Sequence, residues 1–280
     1  MELLAVIGYP ISHSASPIMY NALFRVRDLP HRYIAVEVPP ENLGETLRSL
    51  HRLGFKGLNI TIPHKEVAAI EAVGLTEEAE AVGAVNTLSR EREGWVGHNT
   101  DVAGVVGCLY SHISGRDCKA LVLGAGGSAA AALYALGKMG VRRAYIANRT
   151  IGRAERLAER AGRLFGLSCE VVELGRAPEA ASRVEIIVNA TPLGLTYSEA
   201  PIGERDLTPS HVVLDMVYSH RPTPMRLAAE AAGATYVDGV RMLVEQGAAS
   251  VRILLGIEPD KRVMEGAVRS WLRRRGEAWS

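Results

Sequence analysis

The apolar stretch 120–123 runs directly into Gly124-Ala125-Gly126-Gly127-Ser128-Ala129, and the chain then continues with the helix-forming residues 128–139. A short run that is apolar at every position suits a strand buried on both faces, and a glycine-rich turn from such a strand into a helix is the joint of a βαβ unit. The rhythm continues downstream, where 144–147 reads as strand, 151–165 as helix, and 186–189 and 212–215 as later strands. Strands that alternate with helices in this way predict a parallel, doubly wound sheet.

The turn itself fits the Gly-x-Gly-x-x-Gly/Ala dinucleotide fingerprint. Gly124 permits the tight turn, Gly126 lets backbone approach a pyrophosphate, and Ala129 lets the helix sit close to the strand. Ala125, Gly127 and Ser128 complete the cradle. An NAD site usually places Asp or Glu at the end of the second strand, about 20 residues on, to accept hydrogen bonds from ribose hydroxyls. Here the chain reads Asn148-Arg149-Thr150 and offers no acid until Glu155, while Arg149 and Arg153 supply guanidinium groups for a 2′-phosphate. NADP is therefore favoured over NAD. The bland alternative is two solvated arginines at a helix start, a mildly unfavourable placement because cations oppose the helix dipole there.

At 280 residues and 48% apolar content the chain is long enough for two domains, each with its own core. The formal net charge of +1 argues against a nucleic-acid-coating protein, which carries a clear basic excess. Cys108, Cys118 and Cys169 form an odd set without a Cys-x-x-Cys pair, so neither a disulfide framework nor a zinc ribbon is expected, and a reducing cytoplasm is the simpler home. Neither the uncharged run 3–24, broken by Pro10, Pro17 and several polar residues, nor the run 120–137, broken by glycines, suits a signal peptide or membrane anchor.

The first third carries the polar groups. Residues 3–7 and 33–38 read as strands buried on both faces, and Leu43, Leu47, Leu50 and Leu53 recur at helical spacing before Gly54. After the first strand comes a polar loop in which Ser14 and Ser16, two apart in an extended segment, can aim both hydroxyls at one anion, or else simply cap the next helix. In Leu58-Asn59-Ile60-Thr61-Ile62, strict alternation puts three apolar residues on one face and Asn59 and Thr61 together on the other. Pro63-His64 then turns the chain to present Lys65, one of only 5 lysines, at a helix start where a cation is not favoured. Two short turns, 83–87 and 97–101, add Asn86 and Asp101. An amide, a hydroxyl, a lysine and a carboxylate suit a small polyhydroxylated acid. No histidine pair at metal-binding spacing accompanies His13, His64 or His98, so no catalytic metal is expected, and no Gly-x-Ser-x-Gly elbow supports hydrolysis.

Taken in order, the motifs at 8–21, 57–65, 83–87, 99–101, 124–129, 148–153, 189–194, 215–218 and 238–247 resemble those of the shikimate dehydrogenase family over nearly the whole chain. The resemblance implies NADPH-dependent reduction of 3-dehydroshikimate to shikimate, on the route to chorismate and the aromatic amino acids. It implies a two-domain α/β fold. A discontinuous substrate domain would take 1–101 plus 238–280, and a Rossmann-type NADP domain 102–237. Ser14 and Ser16 would hold the substrate carboxylate, with Asn59, Thr61, Asn86 and Asp101 around the ring hydroxyls and Tyr218 and Gln246 reaching in from the other side. Lys65 and Asp101 would be the catalytic pair. The residues 124–129 with Asn148, Arg149, Thr150 and Arg153 would hold the adenosine phosphates, and Thr191, Met216 and Gly239 the nicotinamide half; Glu77 is a weaker cofactor-side match. Two departures from the family pattern stand out: Tyr20 where a histidine is common, and Ser219-His220 where Asn-Pro is usual. The partner expected is a small molecule, neither nucleic acid nor membrane, and a homodimer stays open. The rival readings are a quinate/shikimate dehydrogenase of broader specificity and a nucleotide-binding sensor without turnover.

Overall fold

Residues 1–113, 118–194 and 200–277 are described by a computed structural model of the chain. They form two compact units. Unit 1 takes Met1–Ala103 and the described residues from Val244 on; unit 2 takes the described residues of Gly104–Leu243. In chain order the elements are β1 (Leu3–Gly8), α1 (Ser16–Val26), β2 (Arg32–Glu37), α2 (Leu43–Arg52), β3 (Gly57–Ile60), α3 (Lys65–Glu71), β4 (Gly74–Leu75), α4 (Glu77–Val82), β5 (Thr87–Arg90), β6 (Trp95–His98) and α5 (Asp101–Leu109). There follow β7 (Lys119–Leu123), α6 (Gly127–Lys138), β8 (Arg143–Asn148), α7 (Ile151–Arg160), β9 (Ser168–Glu173), α8 (Ala177–Ala181), β10 (Ile186–Asn189), β11 (Val212–Asp215), α9 (Pro224–Ala231), β12 (Thr235–Val237), α10 (Gly239–Leu255) and α11 (Lys261–Glu277). No described helix is long and apolar enough to cross a membrane.

The sheet of unit 1 has the order β2-β1-β3-β5-β6-β4. β1 pairs in parallel with β2 and β3, while β5 runs antiparallel to β3 and β6. Ile7, Leu58, Ile60 and Leu88 from the strands pack against Leu43, Leu47 and Leu50 of α2, whose spacing of four and three puts them on one helical face. Leu53 does not join them. The helix ends at Arg52, the chain turns through Gly54 at φ +82°, and Leu53 is 72% exposed.

Three further expectations for this unit change. β2 is the edge strand, so it is not buried on both faces: Tyr33 faces inward, Ile34 is exposed, and the Asn21 side chain covers the outer backbone, donating to Tyr33 O at 2.7 Å and accepting from Tyr33 N at 3.0 Å. The strand over 58–62 stops at Ile60, and Ile62, expected on the apolar face, is exposed beside the cis peptide to Pro63. Ser14 and Ser16 are not in an extended segment. Ser16 is the first residue of α1, and Ser14 Oγ accepts its backbone N–H at 3.3 Å, a local bond of the capping kind.

In unit 2 all six strands are parallel, in the order β12-β11-β10-β7-β8-β9. This is the doubly wound order, reversing between β7 and β10, and ligands of such sheets bind outside the carboxyl ends of the strands at that reversal. Leu121, Leu123, Ile187 and Val213 fill the core with Met225, Ala228 and Ala229 of α9. The strands β9 and β12 were not legible in the sequence, because each is half exposed and neither shows a long apolar run.

Candidate active site

In unit 1 the reactive groups sit where strands end and helices begin. The Thr61 amide donates to Ile7 O, extending the β1–β3 pairing by one residue, and the His64 amide donates to Thr61 O. His64 is buried, and its Nε2 lies 2.8 Å from Val38 O, so that nitrogen carries the proton. This anchored turn delivers Lys65 at the first position of α3. Its Nζ donates to Asp101 Oδ2 at 2.5 Å, and both side chains are largely buried. The carboxylate offsets a cation at a helix start, and Asp101 itself opens α5, where an acid is favoured. Asn99 holds that start in place by accepting Asp101 N–H at 3.1 Å while donating to Ala84 O at 2.8 Å.

Asn86 connects the pair to the rest of the unit. Its Oδ1 accepts the Thr100 backbone N–H at 2.7 Å, which fixes which way the amide faces, and its Nδ2 then donates to Asp101 Oδ1 at 2.8 Å and lies 3.4 Å from Gln246 Oε1. One carboxylate oxygen is thus held by Asn86 and the other by Lys65. Asn59 lies beneath. It donates to Asn86 O (3.2 Å), Thr87 Oγ1 and Ser250 Oγ (3.0 Å each) and accepts from Tyr33 OH at 2.7 Å. Tyr20, the departure noted above, stacks on Tyr33 with ring centroids 4.2 Å apart and donates to Gly247 O at 3.3 Å; burial pushes its phenol pKa up. It fills the core behind Tyr33.

The structure therefore brings Lys65, Asp101, Asn86, Gln246 and Asn59 into one network. Thr61 is half-buried one residue past β3, and Ser14 and Ser16 stand together at the start of α1. Glu77 belongs to unit 1, where it is exposed in the first turn of α4 and complements the helix dipole, whereas the glycine turn belongs to unit 2. Sequence reasoning missed Thr87, Thr100 and Ser250 as network members. The first two lie within turns that the sequence singles out, while Ser250 stands four residues after Gln246, on the same face of α10, and that spacing is the signal that could have found it.

In unit 2 the glycine turn has the geometry its residue types require. Gly124 sits at φ +108°, and a Cβ there would stand 3.1 Å from Ala190 O; at Gly126 a Cβ would meet nothing within 4 Å. Open space at Gly126, with the first amides of α6 directly after it, fits a pyrophosphate. Asn148 Nδ2 donates to Thr150 O at 2.9 Å and shapes the turn into α7, beside which Arg149 and Arg153 are exposed. Thr191 follows β10, Met216 and Tyr218 follow β11, and Gly239 opens α10. Cys118 and Cys169, both half-buried, have thiols pushed up to about 11 chiefly by burial, so neither supplies a thiolate near neutrality.

Comparison with known proteins accords with this geometry. Residues 6–88 match the family described as the shikimate dehydrogenase substrate binding domain, residues 110–206 the shikimate / quinate 5-dehydrogenase family, and residues 239–269 the shikimate 5′-dehydrogenase C-terminal domain. The chain is 42% identical over 270 residues to the shikimate dehydrogenase (NADP(+)) of Pyrobaculum aerophilum, which covers 96% of this chain and 98% of that one. It is similar to a crystallised shikimate dehydrogenase in complex with NADP+ (TM-score 0.89, 34% identity, 97% and 96% of the two chains). It is similar also to the Thermus thermophilus enzyme in complex with NADP(H) and shikimate (TM-score 0.85, 35% identity, 96% and 99%). Matched in this way along most of its length, the chain belongs to the shikimate dehydrogenase family.

Proposed function

We propose that this protein reduces 3-dehydroshikimate to shikimate with NADPH, unit 1 binding the substrate and unit 2 the cofactor. The observation that carries the reading is the Lys65–Asp101 pair, with Asn86 holding the second carboxylate oxygen. Bound NADPH supplies a hydride to the C3 carbonyl carbon. Lys65 gives a proton from Nζ to the C3 oxygen, so that the C=O bond becomes a CH–OH, and the lysine regains its proton from solvent. Asp101 orients the ammonium and accepts a hydrogen bond from the product hydroxyl, and its fixed rotamer keeps the proton donor aimed.

Around that centre, Ser14 and Ser16 bind the substrate carboxylate through their hydroxyls. Thr61, Asn86, Gln246 and Tyr218 bind ring hydroxyls. Asn59 contributes mainly by holding Asn86, because its amide is already engaged on four sides. Gly124, Ala125, Gly126, Gly127, Ser128 and Ala129 cradle the pyrophosphate. Asn148, Arg149, Thr150 and Arg153 hold the adenosine 2′-phosphate; Thr191, Met216 and Gly239 border the nicotinamide half; Glu77 is a peripheral cofactor contact. Three free cysteines and these small polar ligands suit a cytoplasmic enzyme.

Mixing the protein with shikimate and NADP+, and in parallel with quinate and with NAD+, tests the reading by formation of reduced nicotinamide. Turnover confined to shikimate with NADP+ is expected. Comparable turnover with quinate or NAD+ would move the protein to the broader quinate/shikimate activity, and NADP+ binding without turnover would leave a sensor.

A further inference from the structure

β10 and β11 end in register, Asn189 opposite Asp215, and both side chains are buried. Asn189 Nδ2 donates to Asp215 Oδ1 at 2.9 Å and to Leu193 O at 3.3 Å, while its Oδ1 accepts from the Thr191 backbone N–H at 3.1 Å and the Thr191 hydroxyl at 2.6 Å. Asp215 Oδ1 also accepts the Val217 N–H at 3.2 Å, and Oδ2 accepts from the hydroxyls of Thr223 (2.7 Å) and Tyr236 (3.1 Å). The amide thus fixes the segment after β10, the carboxylate fixes the segment after β11, and one hydrogen bond joins them. From the other side α10 closes on the same turn. A Cβ on Gly239 would stand 2.3 Å from Val217 O, so only glycine lets the helix start that close.

All four donors to Asp215 are neutral groups. A buried carboxylate without a cation is expensive, and packing alone would be served better by an apolar residue at a strand end. What the carboxylate provides is four acceptor directions at one point, enough to tie β10, β11, α9 and β12 to the turn that carries Met216. We infer that Asn189 and Asp215 form a positioning pair that sets Thr191 and Met216 for the nicotinamide half of NADP, while the adenosine half is held independently of them. This rests on unit 2 being the NADP site, as proposed above.

The test compares two probes on the full-length protein: NADPH, followed by its fluorescence, and 2′,5′-adenosine bisphosphate, which carries the adenosine half and the 2′-phosphate but no nicotinamide. Asn189→Ala and Asp215→Ala are expected to weaken NADPH about tenfold, the scale of one lost buried hydrogen bond, and to leave the bisphosphate within about twofold. Asp215→Asn can keep the cage, since its amide oxygen still accepts from Asn189 and Val217 and its NH2 can donate to the Thr223 and Tyr236 hydroxyls, which rotate to accept. It is expected to restore NADPH binding to within about threefold of the unsubstituted protein. Should Asp215→Ala not fold, Asn189→Ala and Asp215→Asn carry the comparison. Equal weakening of both probes would show general damage to unit 2, and Asp215→Asn as weak as Asp215→Ala would show a role for charge; unchanged NADPH binding would show no role. Each overturns the inference. If the unsubstituted protein binds neither probe, the NADP site itself is refuted and the inference falls with it, an outcome distinct from the other three.

Discussion

Unit 1 buries Ser16, Asn59, His64, Asn86, Thr87, Asn99, Thr100, Asp101 and Ser250, most of them in one connected network, whereas the buried polar side chains of unit 2 are Asn189, His211, Asp215 and Thr223, three of them gathered at two strand ends. The contrast follows from what each unit presents to its ligand. In the proposed reading unit 2 would meet a phosphate with backbone amides at a glycine turn, so the interiors of β7 and β10 can be built from Ala, Leu, Val and Ile. Unit 1 must hold side chains at fixed angles, and a side chain is held by other side chains. A polar network fully satisfied in this way specifies one geometry, and no buried side-chain polar atom among the described residues lacks a partner. The lesson is that a binding site made of backbone leaves the core free to be simple, while one made of side chains draws the core into the site.

The strongest way to break this contrast is to remove the group that unit 1 is proposed to present. Lys65→Ala is expected to lower turnover by about 10²-fold or more with KM for shikimate changed only a few-fold, since general acid–base catalysis is typically worth that much. Steady-state kinetics decides it, and a large loss in KM with turnover intact would remove Lys65 from the proton step. Next, Asn59→Ala strips partners from Tyr33, Thr87 and Ser250 at once and is expected to destabilise the protein by about 1–3 kcal/mol in urea unfolding. A neutral result would mean that the network is ornament to the packing of unit 1. In unit 2, Arg149→Ala is expected to reduce the preference for NADP+ over NAD+ by about tenfold, measured as the ratio of kcat/KM values, because one charge-assisted bond to the 2′-phosphate is lost.

The smallest effect is a tilt with pH. Burial lowers the imidazole pKa values of His64, His98 and His13 from their ordinary 6.5, opposed by the Val38 carbonyl at His64 and by Glu91 at His98, and reinforced by Arg275 at His13. Groups depressed in this way contribute stability that is whole above 6.5 and lost as pH falls through their folded values. Asp215 is shifted the other way, raised from 3.8 by burial against the hydrogen bonds it receives, so its contribution is present in acid and lost as pH rises. Hydrogen exchange, corrected for its intrinsic pH dependence, should therefore show unit 1 opening more readily than unit 2 on going from pH 7 to 5. Equal loosening of both units would remove these three histidines as the cause.

How much could be read beforehand also divides between the units. The parallel sheet of unit 2 was legible because β7, β10 and β11 are buried on both faces and carry apolar runs interrupted only at their ends, and because Gly124, at φ +108°, stands where other residues are strained. In unit 1 the residues of the site could be picked out, but not what they do for one another. Asn59 looks like a ligand group from its place in the strand, yet its four partners, Tyr33, Asn86, Thr87 and Ser250, lie up to 191 residues away and no pattern local to Asn59 announces them. The β5–β6 hairpin escaped for a related reason. Its strands are four residues each, and the sequence reading singles out only the turns 83–87 and 97–101 at their ends, leaving 88–96 without an assignment.

Unit 2 is one uninterrupted length of chain, but unit 1 is closed only by residues from Val244 on. A polypeptide emerging from its N-terminus therefore completes its second unit before its first. Until α10 has been made, Asn59 lacks the Ser250 hydroxyl and Tyr20 lacks the Gly247 carbonyl. A chain ended at Leu243 is expected to show a protected unit 2 and a protease-sensitive residue 1–103 segment. From this connectivity the order of synthesis and the order of folding are expected to run in opposite directions, with unit 1, the half proposed to carry the proton chemistry, the last to become solid.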